Sequence, residues 1–375
     1  MPQFDVVVVG LGVMGSAALY ELARRGFRAA GIERHTPGHE LGSSHGETRI
    51  IRLGYFEHPS YVPLLHRSYA LWREIEEASS RKLMRITGIV EIGPSFGRLV
   101  TGTLAASLEH HLPHEVLDAA EIVRRFPPFR IPSDYVGVFQ PDGGFVAAEG
   151  SVEALIALAR AAQAEICSGV RVLAVEPDGN GVHIATSQGD IEARIAIVAA
   201  GAWLPDLLPD LPAPLRITRE VMAWFKPNKA SLFDPHRFPV FIMESRHGMH
   251  YGLPASPAGA VKIAKHHHHN ETVYPDDPRR PVSAADQGLI RPVLADHIPA
   301  ANGPLLAAQT CLYTVTPDHD FIIDRLPDAP QIVVASPCSG HGFKFAPVIG
   351  EILADLALEG GTRHDISRFR LSRFR

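Results

Sequence analysis

The segment Phe4-Asp5-Val6-Val7-Val8-Val9-Gly10-Leu11-Gly12-Val13-Met14-Gly15 constrains this chain more than any other. A β-branched apolar run enters G-x-G-x-x-G, and Ala17, Ala18, Leu22 and Ala23 then recur at helical spacing. The pattern predicts a buried strand, a tight turn and a helix N-terminus. One glycine permits the turn, one lets a pyrophosphate approach the backbone, and one lets the helix pack against the strand. Unpaired N–H groups and the positive end of the helix dipole then face the phosphates. A second strand ends at Ala29-Ala30-Gly31-Ile32-Glu33, which sets a carboxylate 18 residues beyond Gly15, where a ribose-binding acid belongs. Arg34 offers a charge to a 2′-phosphate, but Glu33 would repel one. NADP is therefore disfavoured, and the choice between FAD and NAD falls to the rest of the chain.

A chain of 375 residues fits two domains with sizeable cores. With 46% hydrophobic and 21% charged residues it reads as an ordinary globular protein. A formal net charge of −5 argues against a nucleic-acid partner, which calls for a basic excess. No apolar run approaches the roughly 18 residues that span a bilayer, and no basic segment precedes the first apolar run, so neither a membrane partner nor a signal peptide is expected. Cys167, Cys311 and Cys338 are odd in number and lack metal-ligand spacing, so no disulfide framework or metal site is expected and a reducing cytoplasm is the default.

Taken in order, the chain alternates between two textures. A long polar loop, 36–48, follows His35, contains His39 and His45, and leads into Gly46-Glu47-Thr48-Arg49-Ile50-Ile51-Arg52. A loop of this length is functional or disordered. Arg49 and Arg52, three apart, would share one helix face. They read either as a solvated basic face or as one arginine for the cofactor and one for an anionic substrate. A helical period runs from Tyr61 to Ala78. Residues 83–148 show short strand-like runs broken by Pro and Gly, and residues 215–304 show the same texture. Between them, a helix around Val152–Ala159 precedes several strands and the buried run Ile195–Val198, which ends in a turn at Gly201. Neighbouring residues on a strand face opposite ways, so at most two of His266, His267, His268 and His269 converge. A surface turn with one inward histidine is expected there, and no metal. Near the C-terminus, a strand at 331–335, the glycine loop Ser339-Gly340-His341-Gly342-Phe343-Lys344 and a helix over 346–358 repeat the opening motif. The five arginines of 363–375, interleaved with Ile366, Phe369, Leu371 and Phe374, predict an edge strand with a basic outer face.

The expected class is α/β, α+β overall. A Rossmann dinucleotide-binding domain comprises 1–82, 149–214 and 305–375, and an inserted antiparallel-sheet substrate domain comprises 83–148 and 215–304. This discontinuous layout resembles the glutathione-reductase-like FAD fold of the D-amino-acid-oxidase superfamily. Within it, the chain is similar to the monomeric sarcosine oxidase and N-methyl-amino-acid oxidase family over nearly its whole length. Four motifs carry the likeness: the stretch from His45 to Arg52, Cys311-Leu312-Tyr313-Thr314-Val315-Thr316, His319-Asp320-Phe321-Ile322-Ile323-Asp324, and Ser339 to Phe345.

The resemblance implies FAD, attached covalently through a thioether from Cys311 to the flavin 8α carbon. On its own the cysteine would read as a small buried apolar residue, which is how Cys167 and Cys338 still read. The resemblance places Arg52 and Lys344 on the substrate carboxylate, Arg49 and His45 beside the flavin ring, and Tyr251, His266, Tyr313 and Gly340 around the substrate. It makes Lys262 the residue that activates O2, with Lys265 as a rival on the opposite strand face. It assigns further cofactor contacts to Arg34, Ser43, Ser44, Thr48, Val172, Ala200, Gly201, Trp203 and Gly342. Ala264 and Lys265 replace the family's glycine and aromatic residue, and His267–His269 are foreign to its pattern. The implied activity is oxidation of a secondary amino acid such as sarcosine by a cytoplasmic monomer, with O2 as acceptor and hydrogen peroxide as product. N-methyltryptophan and pipecolate or proline are alternative substrates; an NAD-linked dehydrogenase and a non-catalytic flavin-binding protein are the alternatives outside the class.

Overall fold

The β-branched run at the N-terminus forms the strand Phe4–Val9, in an eight-stranded sheet of the computed structural model, which describes residues 3–337 and 339–374. Both faces of this strand are buried: Val6 and Val8 pack into one apolar cluster, and Phe4, Val7 and Val9 into another. A continuous apolar run rather than an alternating one is what a strand covered on both faces requires. Phe4–Val9 pairs in parallel with Ala29–Glu33 on one side and with Ile191–Val198 on the other. The far edge of Ile191–Val198 is shared, antiparallel with Gly181–Thr186 near its start and parallel with Ala329–Ser336 near its end. The N- and C-terminal strand–loop–helix units thus lie in one sheet.

The helices Val13–Arg24, Ala148–Ala161 and Ala346–Glu359 cover one face of this sheet. Their approach is close: a Cβ on Gly350 would come within 2.7 Å of the Ala17 backbone. Val62–Ser79 forms the helix expected from its 3–4 period and ends in left-handed Ser80.

A second eight-stranded sheet runs in the order Leu305–Val315, Arg216–Phe225, Val261–Lys265, Gly248–Ala255, Val240–Ser245, Ile89–Pro94, Tyr135–Gln140, Glu115–Asp118. Its central strands have two unlike faces. Val221, Ala223 and Phe225 point into a core of Phe129, Phe233, Phe238 and Phe241. Met222 and Trp224, between them, pack with Cys311 and against Tyr251 and Tyr313. Alternation thus sends one residue set to the core and the next toward the first sheet.

Four sequence expectations differ from this architecture. Leu305–Val315 was expected with the nucleotide-binding segments, yet it pairs along its length with Arg216–Phe225 in the second sheet. The strand-like region 83–148 contains the helices Arg98–Glu109 and Ala119–Arg125. The first hides its period because its buried face includes Thr103 and Ser107 as well as apolar residues. Thr48–Ile51 is a strand, so Arg49 and Arg52 do not share a helix face. The tail is not an edge strand: Ser367–Phe369 and Leu371–Phe374 are short 3-10 turns, whose arginines pair with Asp318, Asp320 and Asp324. These acids lie just before and within Ile322–Leu326, so the tail is pinned to the first sheet by charge rather than by a ladder. Cys338 lies outside the described residues.

Candidate active site

A single cleft runs between the two sheets, and its nucleotide end is built by the opening motif. Gly10 has φ of +89°, and a Cβ on Gly15 would lie 1.8 Å from the Gly10 carbonyl oxygen. No side chain larger than hydrogen fits either place. Gly12 caps the helix Val13–Arg24 with no side chain, and Ser44 Oγ accepts the Val13 N–H at 3.1 Å. Glu33 accepts the Leu11 and His35 N–H groups, each at 2.9 Å. Burial alone would raise its pKa, but His39 and these N–H groups hold it below the ordinary carboxylate value. Arg34 is paired with Asp276 at 2.6 Å, and Trp203 Nε1 donates to the same carboxylate at 2.7 Å. The Arg34 charge is therefore engaged beside two acids, an unsuitable setting for a 2′-phosphate. Met14, Val172, Ala200 and Gly201 line the same end.

In the middle of the cleft stand Cys311 and the loop before Thr48. Cys311 is 3% exposed, faces Glu220 across the strand pair, and has its thiol pKa pushed up to about 11 by burial. Arg49 donates to the Ser43 carbonyl at 3.0 Å and to the Thr48 carbonyl at 2.9 Å. Lys262 Nζ donates to the carbonyls of Gly46 at 2.7 Å and Thr48 at 2.8 Å. His45 is 1% exposed, and among the described residues neither of its ring nitrogens has a partner. Burial and the Arg49 charge lower its pKa to about 4, so it is neutral at pH 7. Gly15, His45, Thr48 and Lys262 lie behind the cleft wall; the other residues anticipated for the site border it.

The closed end concentrates charge. The Arg52 guanidinium lies 4.2 Å from the Tyr55 ring centroid, and Lys344 Nζ lies 5.2 Å from the same centroid. Arg52 donates to Glu57 at 2.5 and 2.7 Å and to the Gly54 carbonyl at 2.6 Å, with Glu91 at 3.6 Å. Burial opposes its charge, but Glu57 and Glu91 outweigh it and raise its pKa. Among the described residues Lys344 has only the His341 carbonyl as a hydrogen-bond partner, at 2.7 Å; burial and the Arg52 charge lower its pKa to about 7. Glu91, fully buried, is raised to about 7 by desolvation. Gly340, at φ +84°, lets Tyr313 and His266 close in: a Cβ there would meet them at 2.3 and 2.7 Å. Tyr251, Gly342 and the apolar side chains of Ile50, Phe56, Ile242 and Met249 complete the wall.

Sequence reasoning overlooked Glu57, Glu91, Tyr55 and His341. Glu91 carried a signal, since an acid inside the apolar run Ile89–Ile92 must find a cation when buried. His341 sat in a quoted motif without a role; its Nδ1 lies 2.6 Å from the Tyr55 hydroxyl, and Nε2 reaches the His319 carbonyl at 2.9 Å. The histidine run differs from expectation too. It follows the strand Val261–Lys265 as a turn with His267 at φ +54°, and two members point inward rather than one. His266 lines the cleft, whereas His268 is 2% exposed and meets Asp286 at 3.2 Å. Asp286 already holds Arg219 at 2.8 Å, and in a second histidine–aspartate cluster Asp296 holds Arg246 at 2.7 Å.

Residues 5–356 match the model of a family described as FAD dependent oxidoreductase. The chain belongs to this family. It is 40% identical over 384 aligned positions to a monomeric sarcosine oxidase of Streptomyces avermitilis, covering 98% of this chain and 97% of that one. An N-methyl-L-tryptophan oxidase of Salmonella newport is 37% identical, with 99% of each chain covered. Among solved structures, the open form of NikD, an unusual amino acid oxidase essential for nikkomycin biosynthesis, superposes with a TM-score of 0.86 at 29% identity, covering 98% of this chain and 97% of that one. An L-proline dehydrogenase from P. horikoshii, at 21% identity and TM-score 0.86, covers 100% of this chain and 98% of that one and shares the fold. The protein is thus an FAD-dependent oxidoreductase of amino-acid-oxidase type. The side-chain-free cradle of Gly10, Gly12 and Gly15 fits the close approach of a bound dinucleotide. Among the described residues no helix is long and apolar enough to cross a membrane.

Proposed function

We propose that this flavoprotein oxidises the C–N bond of a secondary α-amino acid, an N-methyl amino acid such as sarcosine, and returns the electrons to O2 as hydrogen peroxide. The observation that carries this reading is the pair of buried cations, Arg52 and Lys344, flanking one tyrosine ring at the closed end of an otherwise apolar pocket. Glu57 already pairs with Arg52, whereas Lys344 has no carboxylate partner among the described residues; a substrate carboxylate would complete the set, and a planar guanidinium suits it. The apolar wall of Ile50, Phe56, Ile242 and Met249 then receives the N-alkyl group and any side chain.

Bound FAD supplies a two-electron acceptor. The chain's own residues bind, orient and set charge. Arg52 and Lys344 grip the carboxylate, and Tyr251, Tyr313 and His266 hold the amine. Arg49 holds positive charge beside the flavin, where it favours the reduced anionic form. Lys262 holds an ammonium beside the place where O2 acquires charge. Cys311 holds the flavin by a thioether. The protein acts as a monomer in the cytoplasm.

Purified protein tests this reading. A panel of N-methyl amino acids, proline, pipecolate and primary amino acids should release peroxide best for a secondary amine, and the yellow chromophore should stay with the polypeptide after acid precipitation. Yellow protein that no secondary amine bleaches anaerobically refutes the catalytic assignment. Turnover that depends on NAD refutes the oxidase assignment.

A further inference from the structure

Lys262 is held by an arrangement that the reaction alone does not explain. Both carbonyls that receive its Nζ flank Glu47. They converge on one point because two consecutive residues, Gly46 at φ +91° and Glu47 at φ +66°, are left-handed. A non-glycine residue in that conformation is costly and persists only when its surroundings hold it. A Cβ on Gly46 would also meet the end of the Met222 side chain at 2.5 Å, so another residue there would have to displace that buried side chain as well as adopt the left-handed backbone.

Two carboxylates hold the turn. Glu149, in the first turn of the helix Ala148–Ala161, accepts the Gly46 N–H at 2.6 Å and the Glu47 N–H at 3.0 and 3.2 Å. Successive N–H groups from a left-handed turn form a concavity suited to one anion. Glu47 directs its own carboxylate to Trp224 Nε1 at 2.9 Å, and the Trp224 ring lies 5.4 Å from Lys262 Nζ. Trp224 and Lys262 are cross-strand partners.

We propose that Glu149, with Glu47, is a positioning residue for O2 reduction: it fixes the turn that aims the Lys262 ammonium and supplies the negative charge that keeps it protonated. This rests on the reading of Lys262 as the oxygen-activating residue. The charge argument is local. Lys262 is 2% exposed, and burial and Arg49 press its pKa well below the ordinary lysine value. His45, another basic side chain nearby, is neutral at pH 7, and Arg279 adds a charge that acts on His45 and Cys311. Glu47, Glu149 and the Cys311 sulfur oppose that pressure. A thioether at Cys311 carries no charge, so in the holoenzyme Glu47 and Glu149 oppose that pressure without the sulfur. Two of the three ammonium protons go to the Gly46 and Thr48 carbonyls, which leaves one uncommitted to them.

The test is Glu149→Gln in the holoenzyme. Glutamine keeps an oxygen for the Gly46 N–H and removes the charge, so Lys262 loses its proton at lower pH. The rate of reoxidation of reduced enzyme by O2 should then fall off about one pH unit lower than in the wild type, while anaerobic reduction by substrate changes less than threefold. A readout free of turnover is the pH titration of the oxidised flavin absorption spectrum, whose high-pH transition should move down equally. Glu149→Asp retains the charge and should restore the wild-type titration. Should Glu149→Gln not fold, Glu47→Gln, at an exposed side chain, is expected to shift both profiles in the same direction. Profiles identical to wild type in a folded glutamine variant overturn the proposal. If instead Lys262→Met slows both half-reactions equally, the underlying reading of Lys262 fails.

Discussion

Lys344 gives the sharpest test of the substrate grip, because its charge is held near the balance point. Burial and Arg52 place its pKa at about 7 in the free protein. A bound carboxylate adds a negative neighbour and raises that value, so binding above pH 7 takes up a proton. Below pH 7 the lysine is charged with or without ligand, and affinity does not depend on its titration. Above pH 7 the free lysine is neutral, and each unit costs a factor approaching ten, about 1.4 kcal/mol. The dissociation constant of a carboxylate is thus expected to rise about tenfold between pH 6 and 8. Glu91, also near 7, reinforces the trend, since its deprotonation adds a repelling charge. Propionate is a suitable probe, because it stays ionised over this range and has no amine to titrate. Its binding is read from the flavin difference spectrum. Lys344→Met should bind propionate about 30-fold or more weakly at pH 6, as truncating one partner of a buried charge pair costs about 2–5 kcal/mol. It should also lose most of the pH dependence, and Glu91→Gln should remove the rest. A constant independent of pH in the wild type, or a slope surviving in both variants, refutes the reasoning.

Three further outcomes follow from the same geometry. Cys311→Ala should leave a flavin that acid precipitation releases; chromophore still attached to the polypeptide would move the linkage to another residue. Gly15→Ala forces a methyl to 1.8 Å from the Gly10 carbonyl oxygen, so the helix must move off its strand, and the purified protein should contain little flavin by absorbance ratio. Arg219→Met leaves Asp286 buried against His268 without its guanidinium, and should lower unfolding free energy in denaturant titration by about 3–5 kcal/mol; a loss below 1 kcal/mol would show that the histidines compensate.

The sequence announces those parts of the fold where one physical requirement dominates. Phe4–Val9 is legible because a strand buried on both faces must be apolar throughout, and the helix Ala346–Glu359 because nearly all of it is buried. The helix Arg98–Glu109 is not, because Thr103 and Ser107 occupy core positions that pattern reading reserves for apolar residues. Thr103 is there to donate to the buried Glu91 at 2.9 Å, a pairing 12 residues apart that no local pattern reveals. Glu57 was missed for a related reason: it lies at the turn after Arg52 and looks like an exposed loop acid. The strand Leu305–Val315, expected with the nucleotide-binding segments, pairs in the second sheet, because local sequence reports that a segment is extended and not which edge it joins. This matters for the cofactor. Cys311 stands on the second sheet while the glycine fingerprint stands on the first, so a flavin bound to both spans the seam between them.

The charge distribution of the closed end also explains how an amine can be oxidised there without a dedicated base. A secondary amine near its ordinary pKa of about 10 arrives as an ammonium, which has no lone pair to support loss of hydride. A histidine would be the usual acceptor of its proton. Here burial and neighbouring histidines push His266 far below its ordinary value, and burial lowers His341 to about 4. Both are weak bases at pH 7 and serve as neutral hydrogen-bonding groups. Arg52 remains charged whether paired with Glu57 or with substrate, and a bound carboxylate recruits the proton of Lys344. Cations within a few ångströms of a desolvated amine lower its pKa, as burial itself does. The neutral amine is therefore the species the pocket selects, and its proton leaves to solvent as the substrate enters. The same fields that grip the carboxylate prepare the nitrogen, which is why the chemistry needs a fixed guanidinium, a lysine that the carboxylate charges, and no titrating histidine.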